Sequence, residues 1–132
     1  MLRGSPIAIA ALTAIVTACG GPQVDNANLA RAIQTASPAE VTVRCRVATL
    51  LSDSNGPDGT HERFDVDCNV GPTIEIDHNL SLAPRVPIRL GATVTIHGQF
   101  EPDPGHPVIH YTHHATGAHP GGWIQLDERT YQ

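Results

Sequence analysis

The 132-residue chain is predicted to be all-β, a small barrel of five short strands followed by a C-terminal hairpin, behind an N-terminal export signal and a tether. Three observations predict this. From Val41 onward, apolar and polar residues alternate with a period of two, which places successive side chains on opposite faces of a strand. The alternating runs are separated by turn-forming clusters: SNGPDG (54–59), Gly71-Pro72 and PDPGH (102–106). In the one long connection, LAPRVPIRLG (82–91), two prolines bar a regular helix.

The N-terminus reads MLRGSPIAIAALTAIVTACGG. Arg3 precedes an apolar run from Pro6 to Ala18, too short for a comfortable membrane span of about 20 residues, so residues 1–18 read as a signal peptide. Val16-Thr17-Ala18-Cys19 resembles the lipobox of bacterial lipoproteins, with cleavage before Cys19 and acyl chains on its thiol and new amino group. An ordinary secretory signal with an idle cysteine is the alternative. Gly20 resembles the default sorting signal to an outer membrane, so the mature protein is expected on a lipid anchor facing the periplasm. Residues 19–40 read as a lipidated tether, in which Asp25-Asn26 could cap a short helix bearing Leu29 and Ile33 on one face. So short a helix forms only if it docks.

The remaining residues, 41–132, are assigned to the barrel. VTVRCRV sets Val41, Val43, Cys45 and Val47 on one face; RFDVDCNV does the same with Phe64, Val66, Cys68 and Val70. Folding the two about the Gly56-Pro57 turn places Val43 opposite Val70, Cys45 opposite Cys68, Arg46 opposite Asp67 and Val47 opposite Val66. TIEIDHN supplies a third strand with Ile74 and Ile76 inward. ATVTIHGQF is the fourth, PVIHYT the fifth, and GGWIQL with TYQ forms a hairpin around Asp127-Glu128. Five strands, the first long enough to bend, with a long irregular link between the third and fourth, resemble an OB-fold; a two-sheet sandwich is the alternative. With two phenylalanines, two tyrosines and one tryptophan, the core must be mostly aliphatic and helped by staples.

Cysteine usage fits export. With Cys19 taken by lipid, Cys45 and Cys68 form an even pair, and directly opposed antiparallel residues have Cα atoms about 4.5 or 5.5 Å apart, within disulfide reach. Two buried thiols are the other reading. The chain has no lysine, and loss of residues 1–18 leaves seven arginines against thirteen acids, a formal charge of −6 with neutral histidines. Such a surface repels phosphate backbones, so nucleic acid is not an expected partner.

Chemistry is concentrated in IHYTHHATGAHPGGW (109–123). On a straight strand His110 and His113 point to opposite faces, and His110 and His114 lie about 13 Å apart, so HYTHH is no ready-made chelate. A site requires the strand to end near Thr112 and the chain to curl back over the barrel rim with His113, His114 and His119, joined by His61 and His78 from other strand ends. Three readings are open: a rim in which the imidazoles bond carbonyls, a zinc or copper site, or general acid–base chemistry with no evident nucleophile. Arg85 could hold an anion, or pair with an acid such as Glu75 or Asp77; Trp123 could stack on a ligand, or plug one barrel end. No GxSxG, phosphate loop, HExxH or CxxC is present, and Ser52-Asp53-Ser54 reads as a turn.

HERF (61–64), HNLSLAPRVP (78–87), GATVTIHGQFE (91–101), IHYTHH (109–114), HPGGWI (119–124) and the closing TYQ together resemble a family of small bacterial secreted proteins catalogued as a domain of unknown function. The resemblance covers roughly 41–132. It implies an OB-like fold and export, and carries no catalytic residues. Tyr111 stands where tryptophan is common in that family, and Ala115 where an aspartate often follows the paired histidines. The expected function is a membrane-anchored binding or interaction module for an unidentified protein or small molecule, with a histidine-rich zinc or copper protein as the alternative and a hydrolase behind both.

Overall fold

The computed structural model describes residues 21–132; the expected signal peptide (1–18) and the expected lipidation site Cys19 lie outside them. Helix α1 (Asn26–Thr35) is followed by β1 (Ala39–Leu50), β2 (Ser54–Gly56), β3 (Gly59–Asp67), β4 (Ile74–Asn79), β5 (Thr93–Glu101), β6 (Val108–His110), β7 (Trp123–Leu126) and β8 (Arg129–Tyr131). β1, β3, β4, β6 and β5 pair in that order, and β1 pairs again with β5, so the sheet closes on itself. β4 and β6 run parallel and the other barrel pairs antiparallel. This is the OB-like barrel the strand order predicts. Closure removes the free strand edges that invite aggregation.

β1 closes the barrel by serving two neighbours. Ala39–Arg46 pair with β5 and Arg46–Leu50 with β3, with a bulge between Val47 and Thr49 where the strand changes partner. Bulges bend a strand and sharpen its twist, and a five-stranded closure demands both. Arg46 opposite Asp67 and Val47 opposite Val66 match the expected register. Val43 does not: it pairs with Ile96, because β3 stops at Asp67 and Asn69 turns away in the left-handed region (φ 57°). Cys45 and Cys68, just past the end of that ladder, are joined by a disulfide with Cα atoms 4.2 Å apart.

The core is aliphatic, built from the inward residues of each alternation, such as Val41, Val43, Val66, Ile74, Ile76 and Ile96, with Phe64 and Phe100 the largest side chains. Part of the segment assigned to the tether belongs to this core. Asp25 accepts from the Asn28 amide at 3.0 Å and caps α1, whose Leu29 and Ala32 are buried. Asn26 anchors the helix by donating to the carbonyls of Arg44 and Cys68 and accepting from the Arg44 amide. α1 therefore forms because it docks. At the other terminus, β7 and β8 turn through Asp127 and Glu128, both at positive φ (49° and 66°), the pattern a two-residue hairpin of matching twist requires. Ile124, Leu126 and Tyr131 add to the core.

Candidate functional site

β6 is only three residues long, and its abrupt end creates the site. Tyr111 takes φ 56°, uncommon for a bulky residue, and turns the chain out of the sheet. The turn is possible because two glycines admit the redirected backbone. A Cβ at Gly98 would lie 2.6 Å from the His110 carbonyl; one at Gly122 would collide with the Tyr111 carbonyl and lie 2.5 Å from that of His97. The Gly122 amide then donates to the His113 carbonyl at 2.7 Å, closing residues 111–122 into a loop over the rim.

The loop and the strand ends enclose a cleft of about 460 Å³. Asp58 reaches it from the β2–β3 turn, His61 from β3, Asp77 and Asn79 from the end of β4, His110 from the end of β6, and Tyr111, His113 and His119 from the loop. The cleft lies at the far end of β4 from α1, whose Ile33 and C-cap Ala36 sit beside Pro72 and Thr73. Tyr111 is stacked between two imidazoles, His110 at 3.8 Å and His119 at 3.9 Å between ring centroids. His113 meets His119 edge-on at 4.7 Å.

Hydrogen bonds divide the six candidate histidines into different kinds. His78 is fully buried and uses both ring nitrogens: Nε2–H donates to the Pro84 carbonyl (3.0 Å), while Nδ1 accepts from the Thr112 hydroxyl (2.8 Å). It pins the loop from behind and does not line the cleft. His114 is exposed and also outside it. His113 Nδ1 bonds the His114 carbonyl (2.9 Å) and His119 Nδ1 the Pro120 carbonyl (2.8 Å). A carbonyl oxygen only accepts, so both Nδ1 atoms carry the proton, and each neutral ring keeps its lone pair on Nε2. Burial holds His78, His110 and His113 below the usual imidazole range, so these rings are neutral at pH 7.

The wall beneath them is acidic. Burial, and then the neighbouring Glu75, push Asp77 up to about 6. Glu75 is pulled the other way: burial would raise it, but Arg63 Nε at 2.5 Å outweighs this and holds it below its ordinary value. Asp77 Oδ1 and His110 Nε2 are buried without a hydrogen-bond partner among the described residues; the nearest opposite charges are Arg63 Nε at 3.8 Å and Glu101 Oε1 at 3.4 Å. Among the described residues no group of three His, Cys, Asp or Glu side chains is already arranged around a single metal position.

Two expected residues lie elsewhere. Arg85 grips Asp53 with both nitrogens of its fork (2.5 and 3.1 Å), with Glu62 at 3.9 Å; its partner is neither Glu75 nor Asp77, because the β4 acids are taken by Arg63. Trp123 neither plugs the barrel nor enters the cleft. It alternates outward from the buried Ile124 and stacks on His97 at 5.8 Å. Asp58 and Asn79 were not singled out from the sequence, although both belong to the turn and strand end that carry His61 and His78.

A family model described as a protein of unknown function (DUF3465) matches residues 13–132. The chain belongs to the DUF3465 family. No curated protein and no solved structure matches it. In this DUF3465 protein the barrel presents, at one mouth, four imidazoles beside the carboxylates of Asp58 and Asp77, with the Tyr111 ring stacked among them. Such a surface can accept hydrogen bonds, bind a cation, or shuttle a proton. No serine or cysteine is among the described residues that line the cleft.

Proposed function

We propose that this DUF3465 protein is a lipid-anchored binding module of the bacterial envelope, held at the outer membrane through Cys19, and that the rim cleft is its binding surface. The observation that carries the reading is the convergence of His61, His110, His113 and His119 from β3, β6 and the rim loop around one 460 Å³ cleft. OB-folds use the face of their second and third strands for ligands. Here those strands are β3 and β4, and that face carries Asp65, Glu75 and Asp77 around one arginine, Arg63. Cationic and neutral polar ligands suit it better than phosphodiesters.

The test is a fragment screen on the mature chain, made unacylated with Cys19→Ser and read by amide chemical shifts. Small amines, sugars and imidazole-binding fragments are expected to shift residues 58–61, 77–79 and 110–119. Hits that map consistently to another face, with this region silent, would remove the reading.

A further inference from the structure

We propose that His113 and His119 form the preset half of a site for one divalent d-block cation, zinc or copper, with His61 as the third imidazole. This rests on the cleft reading above and names its ligand class. Metal-bound histidines almost always donate their other ring N–H to a carbonyl or carboxylate, which fixes the tautomer and aims the free nitrogen. Both rings already have that arrangement, through the His114 and Pro120 carbonyls. Neither Nε2 has a hydrogen-bond partner among the described residues, although His113 is only 2% exposed.

Ring spacing agrees with a shared ion. Two imidazoles on one tetrahedral ion, at metal–nitrogen distances of about 2.0–2.1 Å, put their centroids about 5 Å apart; His113 and His119 are 4.7 Å apart and inclined by 71°. Tyr111, stacked on His119 at 3.9 Å, holds that ring in place. His61 lines the same cleft from β3, on a strand the loop does not control, so side-chain rotation is what closes the site. His78 is excluded because both its nitrogens are engaged, and Asp58 and Asp77 supply negative charge on the walls. Imidazole ligands select zinc and copper over magnesium or calcium, which prefer oxygen.

The experiment is calorimetric titration of the mature Cys19→Ser chain, without a polyhistidine tag, with zinc chloride and with cupric chloride. One equivalent is expected to bind, with imidazole shifts confined to His61, His113 and His119. His119→Phe keeps a ring against Tyr111 and removes only the donor, so it should weaken binding at least about tenfold, or about 1.4 kcal/mol. His106→Ala, beside Glu75 and outside the cleft, should leave binding unchanged. No binding up to about millimolar metal, or stoichiometric binding that His119→Phe leaves intact, overturns the proposal. So does a site lost only on His106→Ala, which would place the ion at Glu75 instead. Should amines or sugars still occupy the cleft while metal does not, the metal site falls and the binding reading stands.

Discussion

Gly122→Ala is expected to destabilise the domain by about 3 kcal/mol and to abolish the rim cleft. Overpacking in a close-packed region costs about 1–3 kcal/mol even where side chains can give way. Here the added methyl meets backbone, the carbonyls of Tyr111 and His97. His97 is locked in the β5–β7 ladder opposite Trp123, and Tyr111 already sits at positive φ, so neither carbonyl can retreat without breaking the pairing or the turn. Urea unfolding should show the loss, and the amide shifts of residues 111–122 should collapse toward unstructured values. Gly117, on the same loop, has nothing within 4 Å of a built Cβ, so Gly117→Ala should change stability by less than about 0.5 kcal/mol. Equal stability of the two variants would mean that the loop does not pack against β5 as described.

Removing the Cys45–Cys68 bridge should cost a similar amount, by a different route. The cysteines are 23 residues apart. In the chain-entropy account, closing a loop of that length in the unfolded chain is worth about 3 kcal/mol. The bridge also fastens β1 to the segment beyond β3 at the point where their ladder has ended, so no strand pairing replaces it. The double variant Cys45→Ala/Cys68→Ala should therefore unfold at a melting temperature lower by about 12–24 °C, given roughly 4–8 °C per kcal/mol for a domain near this size. Reducing the wild-type chain should reproduce most of that drop. A reductant-insensitive melting curve, together with two titratable thiols in the unfolded oxidised protein, would contradict the bridge.

The strands were legible because each is half-buried and alternates cleanly. Arg46 and Asp67 on one face, Val47 and Val66 on the other, left a single sensible register. The outer part of that register failed at Val43, since periodicity does not reveal that Asn69 leaves the sheet. The docked helix was visible only as a capped apolar stripe, because docking depends on Asn26 reaching the Arg44 and Cys68 carbonyls. That a histidine site needs the strand to end near Thr112 is legible in the sequence; the structure makes the turn at Tyr111. Its cause, the close backbone approach at Gly98 and Gly122, is a three-dimensional fact that GQF and PGGW do not announce. Likewise, spacing grouped six histidines, and only hydrogen bonds separate structural His78 from His113 and His119.

That separation is the centre of the account, and imidazole nitrogen NMR between pH 5 and 8 tests it most directly. At pH 7.5 His78 should be the neutral Nε2–H tautomer and His113 the neutral Nδ1–H tautomer, while His119 should carry a proton on Nδ1, against the Pro120 carbonyl. His78 and His110 should titrate below the ordinary 6.5, because burial disfavours their charged forms. For these rings the unfolded chain takes up protons before the folded one does, so their contribution to stability should fall as pH drops below about 6.5, by up to about 1.4 kcal/mol per pH unit for each ring. Asp77, raised to about 6, protonates first in the folded chain and opposes that fall below pH 6. A spectrum with His113 and His119 protonated on Nε2, or with His78 titrating freely at 6.5, would contradict the site as built.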